Sequence, residues 1–168
     1  MQPSKPEVER RLDRFRTTCR QAGVKVTHQR LEIFREVAAS PAHPDAEMVY
    51  RAIQPGLPTV SLDTVYRTLW LLTELGLVRT LGPRRESVRF DANLRQHHHY
   101  VCVRCRLTCD FESRRLDGLR IPPHLPDFGS VLAAHVEVRG LCSRCAERGV
   151  GERERKRAGL RGAKRRTK

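Results

Sequence analysis

Ser61-Leu62-Asp63-Thr64-Val65-Tyr66-Arg67-Thr68-Leu69-Trp70-Leu71-Leu72-Thr73-Glu74-Leu75-Gly76 runs straight into Leu77-Val78-Arg79-Thr80-Leu81, then Gly82-Pro83-Arg84-Arg85 and Ser87-Val88-Arg89-Phe90. The apolar period changes from helical to alternating at Gly76, and that change decides the fold. Ser61 can cap the helix by accepting from an otherwise orphaned amide, Asp63 suits the positive end, and Gly76 closes it. Thr64, Tyr66, Arg67 and Thr68 cannot all point inward beside Leu62, Val65, Leu69 and Leu72, so exposure is expected for them. The two apolar runs around a basic turn predict a short β-hairpin.

Upstream, three further helices are expected. Residues 7–22 place Val8, Leu12, Phe15 and Cys19 on one face and stop at Gly23. Thr27 can cap a second helix, in which Leu31, Phe34 and Val37-Ala38 recur until Ser40-Pro41. A third runs from about Asp45, with Met48, Val49, Ala52 and Ile53 inward, to Pro55-Gly56. Helices followed by a hairpin describe a winged helix-turn-helix, whose recognition helix lies in the major groove while the basic wing touches backbone. A helical domain with a surface hairpin would share the bare pattern.

Downstream the composition turns to cysteine and histidine. Cys102-Val103-Arg104-Cys105 and Cys142-Ser143-Arg144-Cys145 are paired Cys-x-x-Cys turns. Each spacer lets one turn present two thiolates to one tetrahedral ion, so the pairs predict a structural Zn(II) site over disulfides or a redox pair. Cys19 and Cys109 are left as free thiols. Around the first pair the residues alternate from Tyr100 to Phe111, a short helix is expected near 114–119, Ile121 to Pro126 is too proline-rich for regular structure, and residues 131–139 read as a strand. At about 60 residues this α+β region is small to stand alone, which is where a zinc ion or a dimer interface becomes useful.

The 168 residues, 39% hydrophobic and 31% charged, allow one ordinary domain or two small ones. We divide them into a winged-helix domain (1–90), a dimerisation and metal-binding domain (91–149) and a basic disordered tail (150–168), an α+β chain in all. Of the net charge of +14, the tail carries +7 and the first 90 residues +5, so bulk basicity alone argues weakly for a nucleic-acid-binding fold. No apolar run approaches the roughly 18 residues of a membrane span, and Met1 to Glu7 lacks the apolar core of a secretory signal, so a cytoplasmic protein is expected.

His97-His98-His99 precedes Cys102, with Asp91 and Asp110 flanking. On an extended segment His97 and His99 share a face and His98 points away. Two imidazoles with carboxylates make a mixed nitrogen and oxygen site suited to Fe(II), Mn(II) or Zn(II), while a solvated histidine-rich loop is the plain alternative.

Gly23-Val24-Lys25-Val26-Thr27-His28-Gln29-Arg30, Ala42-His43-Pro44-Asp45-Ala46, Ser61 to Leu69, His97 to Cys105 and Gly140-Leu141-Cys142-Ser143-Arg144-Cys145 resemble, in that order, the ferric uptake regulator family of metal-dependent repressors. The resemblance spans about residues 7–147. It implies a homodimer on double-stranded operator DNA, with a winged helix-turn-helix followed by a small α/β dimerisation domain. Cys102, Cys105, Cys142 and Cys145 would hold structural Zn(II), and His43, Asp91, His97, His99 and Asp110 a regulatory Fe(II) or Mn(II). DNA contacts would fall on Lys25, Thr27, Gln29, Arg30, Ser61, Thr64, Tyr66 and Arg67, with Lys25 in the minor groove, Tyr66 against thymine methyls and Arg67 making forked hydrogen bonds to bases or a phosphate contact.

Aspartate at both 91 and 110 resembles the peroxide-sensing branch, with hydrogen peroxide the one small molecule implied besides metal ions. An iron- or zinc-uptake regulator is the alternative. A further metal site near His98, Asp117 and His135 is degraded, with Gln96 and Ala134 where the family has histidines. A zinc enzyme using His97, His99 and Asp110 would need an open position and a general base, and no such signature accompanies them. A nonspecific nucleic-acid binder driven by the tail is a third class.

Overall fold

Four capped helices begin the chain. α1 (Lys5–Gln21) starts at Ser4, whose hydroxyl accepts from the Glu7 amide, and buries Leu12, Phe15 and Cys19. Gly23, at φ +67°, turns the chain so that the Val24 amide reaches back to the Cys19 carbonyl. α2 (His28–Ala39), capped by Thr27, buries Ile33, Phe34, Val37 and Ala38. Phe34 stacks on Phe15 with ring centroids 5.0 Å apart. α3 (Ala46–Ile53) is capped by Asp45, and α4 (Leu62–Glu74) by Ser61.

β1 (Arg79–Leu81) and β2 (Arg89–Asp91) then pair antiparallel, Thr80 opposite Phe90. Leu77 and Val78, expected in the first strand, lie buried just ahead of it. The helices and this hairpin close over one apolar core. Two expectations for its faces need correcting. Met48 and Ala52 are exposed, since Ala46, Val49 and Ile53 already fill the inward stripe of α3. Thr68, expected outward, is buried with Val65, Leu69 and Leu72, because the i, i+3, i+4, i+7 stripe of α4 passes through it.

The computed structural model describes residues 2–81, 88–125, 129–130 and 136–148. The wing tip at 82–87, most of the expected strand over 131–135, His135 and the basic tail lie outside the described residues. The chain divides into two compact units, Met1–Gln96 and His97–Lys168. Phe90 and Ala92 belong to the apolar core of the first unit.

In the second unit, β3 (His98–Cys102) is the centre of a three-stranded sheet. β4 (Thr108–Phe111) pairs with it antiparallel and β7 (Glu137–Gly140) parallel. α5 (Arg114–Asp117) follows Ser113 as its cap. The proline-rich stretch is not wholly irregular: β5 (His124–Leu125) pairs with β6 (Gly129–Ser130). Residues 143–148 are helical. No helix among the described residues is long and apolar enough to cross a membrane.

Candidate metal centre and nucleic-acid interface

The parallel pairing of β3 with β7 sets Cys102 opposite Gly140, so the second Cys-x-x-Cys begins two residues beyond the first cysteine's partner. The four sulfur atoms lie within 4.8 Å of one another. Cys105 Sγ and Cys142 Sγ stand 3.7 Å apart, close to the edge of about 3.8 Å that a tetrahedron with Zn–S of about 2.3 Å requires. All are free thiols. The Cys142 amide donates to Cys102 Sγ at 3.4 Å. Backbone amides of Cys105 and Cys142 bring the Cys102 thiol down to about 6, whereas burial, with the neighbouring sulfurs, pushes Cys145 up to about 12. A cation would replace the proton that Cys145 otherwise keeps. The donor set and its spacing fit zinc.

In the same unit His97 and His99 bring their Nε2 atoms to 2.8 Å. Asp110 Oδ1 lies 3.6 Å from each. Neighbouring ligands on an ion at about 2.1 Å stand roughly 3 Å apart, so the pair has the spacing of two ligands on one cation. Asp110 arrives through strand pairing, His99 opposite Asp110 across β3 and β4. His98 turns the other way, its Nε2 3.1 Å from Asp117 Oδ1 and its ring tilted on Phe111.

In the first unit His43 Nδ1 lies 3.5 Å from Asp91 Oδ1, both residues buried. The local chain explains why. Arg89 donates to the carbonyls of Ala42 and His43 at 3.1 Å each, and the Phe90 amide to Pro44 at 3.0 Å. The loop before α3 is thus laced onto β2, and His43 is held at φ +47°. Asp91 Oδ1 also accepts from the Asn93 amide at 2.7 Å. The role of Arg89 has no local signal in the sequence, since its partners stand 46 and 47 positions earlier.

Of the expected DNA contacts, Thr27 and Ser61 are the caps of α2 and α4, and Ser61 also meets the Thr64 hydroxyl at 2.9 Å. Arg30 folds back onto the Lys25 carbonyl at 2.7 Å, leaving the Lys25 side chain exposed, while Gln29 is half-buried. Tyr66 and Arg67 stand on the open face of α4, joined by Asp63 and by the chain's one tryptophan, Trp70. Trp70 meets buried Phe90 edge-on at 6.0 Å. Arg67 Nε lies 2.9 Å from Asp63 Oδ2, a pairing legible in the i, i+4 spacing of opposite charges.

A winged helix-turn-helix unit and a separate unit carrying cysteine and histidine clusters define a metal-responsive regulator of transcription, not an enzyme. The ferric uptake regulator family model matches residues 21–120, and the chain belongs to that family. Among the described residues the Cys102, Cys105, Cys142 and Cys145 cluster is the one whose donors suit a structural zinc ion. The peroxide-responsive repressor PerR of Staphylococcus aureus (strain USA300) is 34% identical over 142 residues, 84% of this chain and 95% of its own. The Helicobacter pylori ferric uptake regulator, described as having three functional metal binding sites, superposes with a TM-score of 0.68 over 87% of this chain and 97% of its own at 19% identity, a likeness of fold. The Pseudomonas aeruginosa ferric uptake regulator with manganese gives 0.58 over 76% and 97%, at 27% identity.

Proposed function

We propose that the chain is a peroxide-sensing repressor, acting in the cytoplasm as a homodimer on operator DNA. The first unit reads DNA through α4 and the start of α2, and the second pairs two copies. Cys102, Cys105, Cys142 and Cys145 hold structural Zn(II). His43 and Asp91 from the first unit and His97, His99 and Asp110 from the second take one regulatory Fe(II) or Mn(II). An ion that draws ligands from both units favours one arrangement of them, and operator and ion then strengthen each other's binding by linkage.

The observation that carries the peroxide reading is aspartate at both carboxylate positions, 91 and 110, in an otherwise histidine set. The similarity to a peroxide-responsive repressor over most of the chain supports it. Bound Fe(II) would supply peroxide reduction beside its own ligands: one oxygen of the peroxide passes to the imidazole of His43 or His97 and the other leaves as water. Oxidation there costs a ligand and releases the operator. Mn(II) does not readily support this chemistry.

The test compares Fe(II)- and Mn(II)-loaded protein with stoichiometric hydrogen peroxide. The Fe(II) form should gain one oxygen on a peptide containing His43 or His97 and lose operator affinity, while the Mn(II) form keeps both. Equal sensitivity of the two forms would make thiol chemistry the switch, and insensitivity of both would favour an iron- or zinc-uptake regulator.

A further inference from the structure

We propose that Asp63 is a positioning residue that sets base specificity by holding Arg67, an inference that rests on the DNA-binding reading of α4. The outward residues of α4 are Asp63, Tyr66, Arg67, Trp70 and, at its last position, Glu74, and Asp63 Oδ2 pairs with Arg67 Nε at 2.9 Å. Both side chains are strongly exposed, at 68% and 81%. An exposed pair of this kind adds little to helix stability. A carboxylate on a face offered to phosphate is moreover unfavourable for affinity, so its contribution has to be sought in selectivity.

The geometry supplies one. Guanidinium carries five donors in a rigid fork on a long stem, and an untethered arginine can turn to the nearest phosphate as easily as to a base. Asp63 takes the Nε edge. That leaves the two terminal nitrogens as a planar fork, which matches the O6 and N7 acceptors of guanine in the major groove. The negative charge beside the fork also discourages its use on backbone phosphate. Asp63 therefore exchanges general affinity for discrimination at one guanine in each half-site.

The two effects have opposite signs, which a purely structural role would not produce. The full-length protein loaded with Zn(II) and Mn(II) is presented with a randomised duplex pool, and the selected duplex and a random-sequence duplex are then titrated. Asp63→Asn should raise affinity for the random duplex about threefold and flatten the guanine preference about tenfold. Arg67→Ala should lose the same preference, and the double variant should lose no more. Asp63→Glu, which can still reach Arg67, should keep it. An unchanged preference in Asp63→Asn, or an equal loss on both duplexes, overturns the role of Asp63 alone. Absence of duplex binding by the metal-loaded wild type overturns the DNA-binding reading and this role with it.

Discussion

His43 occupies a left-handed backbone conformation, φ +47°, that a residue with a Cβ adopts at a cost of about 1 kcal/mol or more. The strain persists because Arg89 and the Phe90 amide together hold three successive carbonyls, those of Ala42, His43 and Pro44. If His43 is the ligand proposed above, Arg89 is its outer partner: it would touch no ion and would hold the residue that does. Loss of such partners typically costs 10–100-fold in metal affinity. Arg89→Ala should weaken Mn(II) binding by at least about tenfold while leaving the zinc content unchanged. Manganese titration by electron paramagnetic resonance and elemental analysis provide the check, and wild-type manganese affinity in the variant would count against the clamp.

At the scale of elements, α1 is tied to its own unit by charge as well as by its apolar face. Glu7 meets Arg10, Arg11 Nε at 3.3 Å and Arg95 Nη2 at 3.4 Å. The hydrogen bond from Arg10, with the charge of Arg95, holds the Glu7 carboxyl below its ordinary range. A carboxyl lowered in the folded state stabilises fully above its unfolded value of about 4.3 and loses that contribution as pH falls through the folded value. Glu7→Gln should lower stability at pH 7 by about 0.5–1 kcal/mol, and thermal melts of variant and wild type should converge on acidification below about pH 4. A constant difference down to pH 2 would show that the loss is packing rather than charge.

How far the elements were legible follows the range of the interactions that make them. Ser61, Thr27, Gly23 and Gly76 act within a turn of themselves, so the helices and their ends could be read locally. The alternation of His97, His98 and His99 likewise foretold which two rings meet. The parallel partnership of β3 with β7 and the lacing of the His43 loop by Arg89 join residues about 40 apart, and no local period records them. Met48 and Thr68 were misplaced for a different reason: on short amphipathic helices the stripe can be phased two ways, and only the packed neighbours choose.

The two units of the molecule are stabilised by different chemistry. The first buries Leu12, Phe15, Phe34, Val49, Val65, Leu69, Leu72, Leu77 and Phe90 among others. Among the described residues of the second, the buried side chains are Cys102, Cys145, His97, His98, His99 and Thr108, while Val103, Leu107, Leu119, Ile121, Val138 and Leu141 are exposed. A unit whose buried side chains are mainly cysteine and histidine has little hydrophobic stabilisation of its own, and its outer apolar residues suit the second copy proposed above. A zinc ion joining Cys102 and Cys105 to Cys142 and Cys145 would also close a loop of nearly 40 residues, for which chain entropy alone is worth about 3–4 kcal/mol. Cys142→Ser should therefore empty the site and lower the melting temperature of the second unit by at least about 10 °C. The helical unit should keep its own transition, because its core is built from apolar side chains rather than from thiolates. Calorimetry with parallel zinc analysis separates the two transitions. Zinc-free protein that melts as the wild type does would mean that the thiols hold this unit together without the ion, and the structural role of the metal would have to be abandoned.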